Sequence, residues 1–372
     1  MHKPDGACKQ KGWIYAMKIL HSADWHLDAP MTGRSEEQAR FLRQELRKIP
    51  QKVCQVAKQE HCELMLLAGD LFDGAYTQDS FQAVYEALEE VGIPVFITPG
   101  NHDFCKLGSP YLEERWPSNV HIFKHPVMEA VPLPELNCTI FGAGYEAMEC
   151  PGLLEDFHAE GDYRWNIGVL HADATNTSSP YCPVNAQQVR LSGLDYLALG
   201  HIHKSDSFQS GDGLCAWPGC PMGHGYDETG IKGVLVITLE QEAKEKFFPL
   251  DTPRFYDEVL EVSGDAAQSL AALLPGVETS DFYRITLTGY CDNVDVDGLT
   301  AEFSNVKNLV LRDKTISQET LWRALGEDSL EGMYFGLLHQ GLDSESEVLR
   351  RRIMLAAQIS RQILDGQEVT LP

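Results

Sequence analysis

Three short apolar runs, at residues 18–22 (KILHS), 64–68 (LMLLA) and 94–98 (PVFIT), alternate with helical patterns and break off abruptly into polar residues. This βαβαβ alternation points the chain to α/β layers with a partly parallel sheet. Residues 64–68 are apolar without interruption and stop at Gly69-Asp70, as a strand covered on both faces does. Residues 36–59 read as helix interrupted at Pro50. Residues 80–91 form an amphipathic helix with Phe81, Val84, Tyr85 and Leu88 on one face. Further strands are expected at 139–141, 166–170, 196–199 and 233–239.

At 372 residues the chain is too long for one compact core. A second unit begins near Asp251, with strand patterns at 255–262, 282–288 and 306–311 separated by helical ones at 266–274 and 297–303. From Ser317 the pattern is helical, at 319–325, 330–338 and 344–364. The expected division is a tail at 1–16, a catalytic α/β domain at 17–250, a small α+β domain at 251–313 and a helical region at 314–372. The first sixteen residues (MHKPDGACKQKGWIYA) are polar and lack the apolar stretch of a signal peptide. No apolar run is long enough to cross a bilayer. The ten cysteines include no Cys-x-x-Cys pair and read as reduced thiols, so a cytoplasmic location and no membrane association are expected.

The chemistry is carried by five short motifs: Asp24-Trp25-His26, Gly69-Asp70 with Asp73 three residues on, Gly100-Asn101-His102-Asp103, His171 in VLHAD, and Gly200-His201-Ile202-His203. Each follows a strand pattern, and residues at strand ends converge on one edge of a sheet, where open α/β folds place their sites. Taken singly, a Gly-Asp at a strand end is a turn and a histidine on an apolar strand is a core residue. All five in this order have no such explanation. Carboxylate, amide oxygen and imidazole suit manganese, iron, zinc or magnesium. Asp24, His26, Asp70, Asn101, His171, His201 and His203 are too many donors for one ion with open positions. They suit two ions that share a carboxylate, and two metals roughly 3.5–4 Å apart can clamp a phosphoryl group. His2, His21, His61, His121, His125, His158 and His339 are left for surfaces and cores.

The set DWH, GDLFD, GNHD, VLHAD and GHIH resembles the calcineurin-like metallophosphoesterases, and within them the SbcD-type DNA repair nucleases, particularly the YhaO-like branch. The likeness continues through Trp217-Pro218-Gly219-Cys220-Pro221 and Gly230-Ile231-Lys232-Gly233 to Phe248-Pro249-Leu250 and Arg254-Phe255. It implies a four-layer α/β/β/α sandwich with a small capping domain and a helical C-terminus. It implies that Asp24, His26, Asp70 and His203 hold one divalent ion, manganese being the expected metal. Asp70, Asn101, His171 and His201 would hold the other, with Asp70 bridging. His102 would face the substrate and stabilise the transition state or protonate the leaving oxygen, oriented by Asp73. At Gly223-His224-Gly225-Tyr226 the chain departs from an expected arginine. His224 either replaces it as a phosphate contact or belongs to a glycine-rich turn, and the turn is the simpler reading.

Formal net charge is −25, unfavourable for a protein that must hold DNA alone. The resemblance implies DNA as substrate and an SbcC-like coiled-coil ATPase as partner, and it leaves room for a homodimer. The apolar stripe Val348, Ile353, Ala356, Ala357, Ile359, Ile363 and Leu364 would dock the ATPase or pack on the chain itself. Arg34, Arg40, Arg43, Arg47, Lys48, Lys52 and Lys58 form a basic segment that would follow a DNA backbone or a solvated helix face. The rival functions are a small-nucleotide phosphodiesterase or phosphatase, and a regulatory protein with a vestigial metal site.

Overall fold

A computed structural model describes residues 16–263, 265–291 and 294–369. Of the expected tail, residues 1–15 lie outside the described residues. The chain divides into two units, the first reaching to His224 and including Ile231–Thr252, the second comprising Gly225–Gly230 and the chain from Pro253 onward.

The first unit runs β1 (Met17–Ser22), α1 (Glu36–Leu46), α2 (Ile49–Gln59), β2 (Leu64–Leu67), α3 (Gln78–Val91), β3 (Val95–Ile97), α4 (Pro110–Glu113) and β4 (Val120–Ile122). It continues with β5 (Glu129–Leu133), β6 (Cys138–Gly142), β7 (Trp165–His171), α5 (Ala186–Ser192), β8 (Tyr196–Gly200), β9 (Asp206–Ser210), β10 (Gly213–Trp217), β11 (Gly233–Leu239) and β12 (Ala243–Pro249). These strands form two six-stranded sheets, ordered β12-β11-β1-β2-β3-β4 and β5-β6-β7-β8-β10-β9. In each, the central strands are parallel and antiparallel strands lie at an edge. The sheets share one apolar layer. Ile19, Leu66, Ala68 and Ile237 of the first meet Ile140, Ile167, Val169 and Ala198 of the second, all fully or almost fully buried. Val189 of α5 packs with Leu197 and Cys215 on the far face of the second sheet. β2 is buried along its whole length, which explains its unbroken apolar sequence.

The helix expected over 36–59 is two helices. The break falls at Arg47-Lys48, because Pro50 sits in the first turn of α2, where its missing N–H is no loss. The basic charges here are largely answered by acids. Arg40 pairs with Glu36, Arg47 with Asp28, Lys48 and Lys52 with Glu45, and Lys58 with Glu90.

The second unit has three parallel strands, β13 (Phe255–Ser263), β14 (Thr279–Tyr290) and β15 (Val306–Asp313), crossed by α6 (Ala266–Leu273) and α7 (Val296–Glu302). Register between β13 and β14 is set by matched neighbours. Phe255 stacks on Phe282, Tyr256 on Tyr283, and Asp257 pairs with Arg284. Then come α8 (Gln318–Leu321), α9 (Leu330–Gly341) and α10 (Glu347–Leu364). Ala357 of α10 is buried with Leu321, Trp322 and Phe335, while Val348, Ile363 and Leu364 are exposed. The stripe on α10 is thus divided between self-packing and solvent. On α9, Leu330, Met333, Tyr334 and Leu337 are also exposed, at the spacing of one helix face. Among the described residues no helix is long and apolar enough to cross a membrane. Of the nine described cysteines, all but Cys291 are buried.

Candidate active site

The five motifs meet where the parallel strands of both sheets end. Asp24 and His26 follow β1, Asp70 follows β2, Asn101 and His102 follow β3, His171 closes β7, and His201 and His203 follow β8. Each sheet therefore supplies part of one cluster. Asp24, Asp70 and His171 are almost wholly buried, His26 and Asn101 nearly so, and His102 is exposed at the mouth.

The backbone turns sharply to bring them together. Asp24, His26, Asp70 and His201 all have positive φ, at 54°, 46°, 50° and 88°. Each such residue costs on the order of 1–3 kcal/mol and persists only where its surroundings hold it, which is characteristic of functional sites. Two glycines make the approach possible. A Cβ on Gly100 would lie 2.2 Å from Asp70 Oδ1, and one on Gly200 would lie 1.9 Å from the Ala68 carbonyl oxygen and 2.9 Å from His171 Nδ1. Gly200→Ala is expected to push β8 away from β2 and lower metal affinity by at least ~10-fold, the lower end for losing a supporting contact. Metal titration of the folded variant checks this.

Donor chemistry defines the centre. His171 Nδ1 donates to the Ala68 carbonyl at 2.9 Å, and its Nε2 then faces Asn101 Oδ1 at 2.8 Å and Asp70 Oδ2 at 3.3 Å. Both oxygens are acceptors, so this spot demands positive charge, either a proton on His171 or a cation. Burial opposes that proton, yet Asp70 and Asp24 raise the His171 pKa to about 9. The same oxygen of Asp70 is 3.8 Å from His26 Nε2, which is 3.1 Å from His203 Nε2. Asp24, His26 and His203 can offer one ligand atom each within 4.8 Å of one another, as can Asp24, Asp70 and His171. His201 Nδ1 lies 3.2 Å from Asn101 Oδ1, and its backbone N–H donates to Asp24 Oδ1 at 2.9 Å. Two groups of oxygen and imidazole donors thus adjoin with the Asp70 carboxylate between them, and the residues present fit a pair of divalent cations. Burial disfavours the charged form of Asp70, but His171, His26 and His102 hold its pKa below the usual carboxylate range.

His102 and Asp73 form a pair on the exposed side, joined to the cluster through His26, whose Nδ1 lies 3.5 Å from Asp73 Oδ1. His102 Nδ1 is 2.6 Å from Asp73 Oδ1, and the His102 backbone N–H donates to Asp70 Oδ1 at 2.9 Å. The hydrogen bond to Asp73 raises the His102 pKa against the opposing effect of burial, and the Asp73 carboxyl is depressed in turn by His102 and His26. His224 lies at the same mouth, its ring 5.5 Å from that of His26 and 6.3 Å from that of His203.

Asp103 has a part the motif alone does not reveal. It accepts from the N–H groups of Leu71, Phe72 and Gly100 and from the Tyr111 hydroxyl, at 2.5–3.1 Å. It thereby ties the loop of Asp70 to the loop of Asn101 and His102. Burial and the charge of Asp70 raise its pKa to about 6 despite those donors. Tyr145 and Tyr181 likewise carry no sequence signal that sets them apart. Their rings lie 5.6 Å from His171 and 4.9 Å from His201.

Comparison with known proteins agrees with this geometry. The family profile for calcineurin-like phosphoesterases matches residues 17–205, half of the chain. The metallophosphoesterase YhaO of Bacillus subtilis is 32% identical over 237 residues, covering 59% of this chain and 57% of YhaO. The SbcD component of the SbcCD nuclease from Staphylococcus saprophyticus is 35% identical over 272 residues, covering 63% of this chain and 69% of that one. A dimetal phosphatase from Danio rerio is similar in structure, with 12% identity and a TM-score of 0.40 over 62% of this chain and 95% of its own. The chain thus spans little more than half the length of YhaO. With its motifs gathered at the strand ends of a two-sheet α/β unit, the chain belongs to the calcineurin-like phosphoesterase family of metal-dependent hydrolases.

Proposed function

We propose that this chain hydrolyses phosphodiester bonds in DNA with two divalent metal ions, manganese being the first choice. The observation that carries the proposal is the placement of Asp70 Oδ2 between His171 and His26, with Asn101, His201, His203 and Asp24 around them. One ion would be held by Asp24, His26, Asp70 and His203, the other by Asp70, Asn101, His171 and His201. Bound there, the pair would clamp the phosphoryl group and stabilise charge on the leaving oxygen. DNA, rather than a small nucleotide, is favoured by the relatives whose names record a part of the SbcCD nuclease.

His102 does what the metals do not. It stands on the exposed side of the cluster with Asp73 on Nδ1, which leaves Nε2 to carry a proton to the leaving oxygen. Because Asp73 raises the His102 pKa, the proton-donating form persists to higher pH and is lost as pH climbs through that raised value. Asp73→Asn removes the main cause of the increase. The alkaline limb of its rate profile is expected to fall at lower pH than in the wild type, measured at saturating metal because Asp73 Oδ1 also lies 3.5 Å from His26 Nδ1. An unmoved limb would separate Asp73 from His102. His224 would add a contact to the substrate phosphate.

In this reading, residues 251–313 cap the catalytic domain and residues 314–372 receive an SbcC-like coiled-coil ATPase. A partner is supported by the net charge of −25 and by the exposed faces of α9 and α10, and the chain would act in the cytoplasm in DNA repair. The test compares labelled DNA with mononucleotides and bis(p-nitrophenyl) phosphate in manganese. Release of labelled nucleotides or shortened strands supports the nuclease. Turnover of the small esters with intact DNA would place the chain with small-nucleotide phosphodiesterases.

A further inference from the structure

We infer that His21 is a positioning residue for the metal centre, a strut between β1 and β8 that fixes Asp24 and His26 against His201 and His203. The inference rests on the two-metal reading of the site.

The two pairs of donors belong to different sheets. Asp24 and His26 follow β1, and His201 and His203 follow β8. Among the described residues no backbone ladder joins these strands. Between them lies the apolar layer of Ile19, Ala68, Val169 and Ala198, and burial of such side chains has no direction. Directional bonds join the sheets elsewhere at this edge, His171 Nδ1 to the Ala68 carbonyl and Thr98 Oγ1 to the Ala143 carbonyl among them, but neither of these ties β1 to β8, whose ligands must keep their spacing to within a few tenths of an ångström.

Between β1 and β8 the direction comes from His21. It lies in the apolar run KILHS, between Leu66 of β2 and Leu235 of β11 in the sheet register, and is fully buried. Its Nε2 is 3.1 Å from the Leu199 carbonyl oxygen and its Nδ1 is 2.7 Å from the Tyr196 hydroxyl. A carbonyl can only accept, so Nε2 carries the proton and Nδ1 accepts from the hydroxyl. A neutral ring satisfies both partners. Burial keeps it neutral, lowering its pKa to about 3. His21 precedes Asp24 by three residues and Leu199 precedes His201 by two, so the strut lies directly behind the ligands. The bond from the His201 N–H to Asp24 Oδ1 crosses the same gap, but it is made by the ligands themselves.

The test uses the full chain with Mn²⁺, read by electron paramagnetic resonance and by metal titration. The wild type is expected to give the exchange-coupled spectrum of a manganese pair. His21→Leu, folded by circular dichroism, is expected to lose that coupling and to bind the second ion roughly 10–100-fold more weakly, the usual cost of losing an outer partner. His21→Gln can donate to Leu199 and accept from Tyr196, and should recover the coupled spectrum. Tyr196→Phe removes one hydroxyl only. It is expected to weaken the coupling and keeps the test decisive if His21→Leu does not fold. Wild-type spectra and affinities in both His21→Leu and Tyr196→Phe, or in Tyr196→Phe alone should His21→Leu not fold, would overturn the strut while leaving the two-metal reading intact. A wild type without a coupled pair would overturn both.

Discussion

Asp70→Asn is expected to abolish metal-dependent phosphoester hydrolysis while the chain stays folded. Its carboxylate reaches both halves of the site, with Oδ2 at 3.3 Å from His171 Nε2 and 3.8 Å from His26 Nε2. Asparagine keeps the shape and an oxygen for the His102 N–H, so folding has little reason to fail. It removes the negative charge, however, and with it the main attraction for a second cation. Metal affinity should fall by more than the ~10–100-fold typical of losing an outer-shell partner. Bound manganese and hydrolysis are measured on the same preparation. Normal values for both would refute the bridging role.

His102→Asn should separate binding from catalysis. The proposed role is proton transfer to the leaving oxygen, a contribution of typically ~10²–10⁴-fold. His102 is exposed, and its Nδ1 is engaged by Asp73 at 2.6 Å, so neither folding nor the metal pair should depend on its ring. The variant is expected to bind both ions with near-normal affinity and to lose turnover by about that factor. The loss should be smaller on a substrate whose leaving group needs no proton, such as a p-nitrophenyl ester. Equal metal loss in His102→Asn and Asp70→Asn would make His102 a ligand.

The convergence of donors was legible because each motif follows an apolar run that could only be a strand. The edge strands were not legible. β9 (DSFQS) and β12 (AKEKFFP) have little apolar periodicity, and β5 contains Pro132, which a strand tolerates at an edge. These segments are strands because a neighbour offers them hydrogen bonds, which a local pattern does not record. The basic segment at 34–58 invited a DNA-binding reading that depended on unpaired charge. Asp28 and Glu90 stand outside that run of sequence and answer Arg47 and Lys58.

His21 and Asp103 show the same limit inside the site. His21 stood among the histidines left for surfaces and cores, and it is fully buried against Tyr196 and Leu199 rather than among the ligands. Its partners are 175 and 178 residues away, beyond the reach of spacing. Asp103 was visible as the last residue of its motif, but its bonds to Leu71 and Phe72 join two motifs that sequence treats separately. Positive φ at Asp24, His26, Asp70 and His201 was equally hidden, since none of these residues advertises it as glycine does.

The central claim is that these donors hold two catalytic metal ions. Metal-free protein titrated with Mn²⁺ while phosphodiester hydrolysis is followed tests it most directly. Activity is predicted to be negligible in the metal-free protein and to reach its plateau at two ions per chain. Full activity without metal, or a plateau at a single ion, would contradict the account.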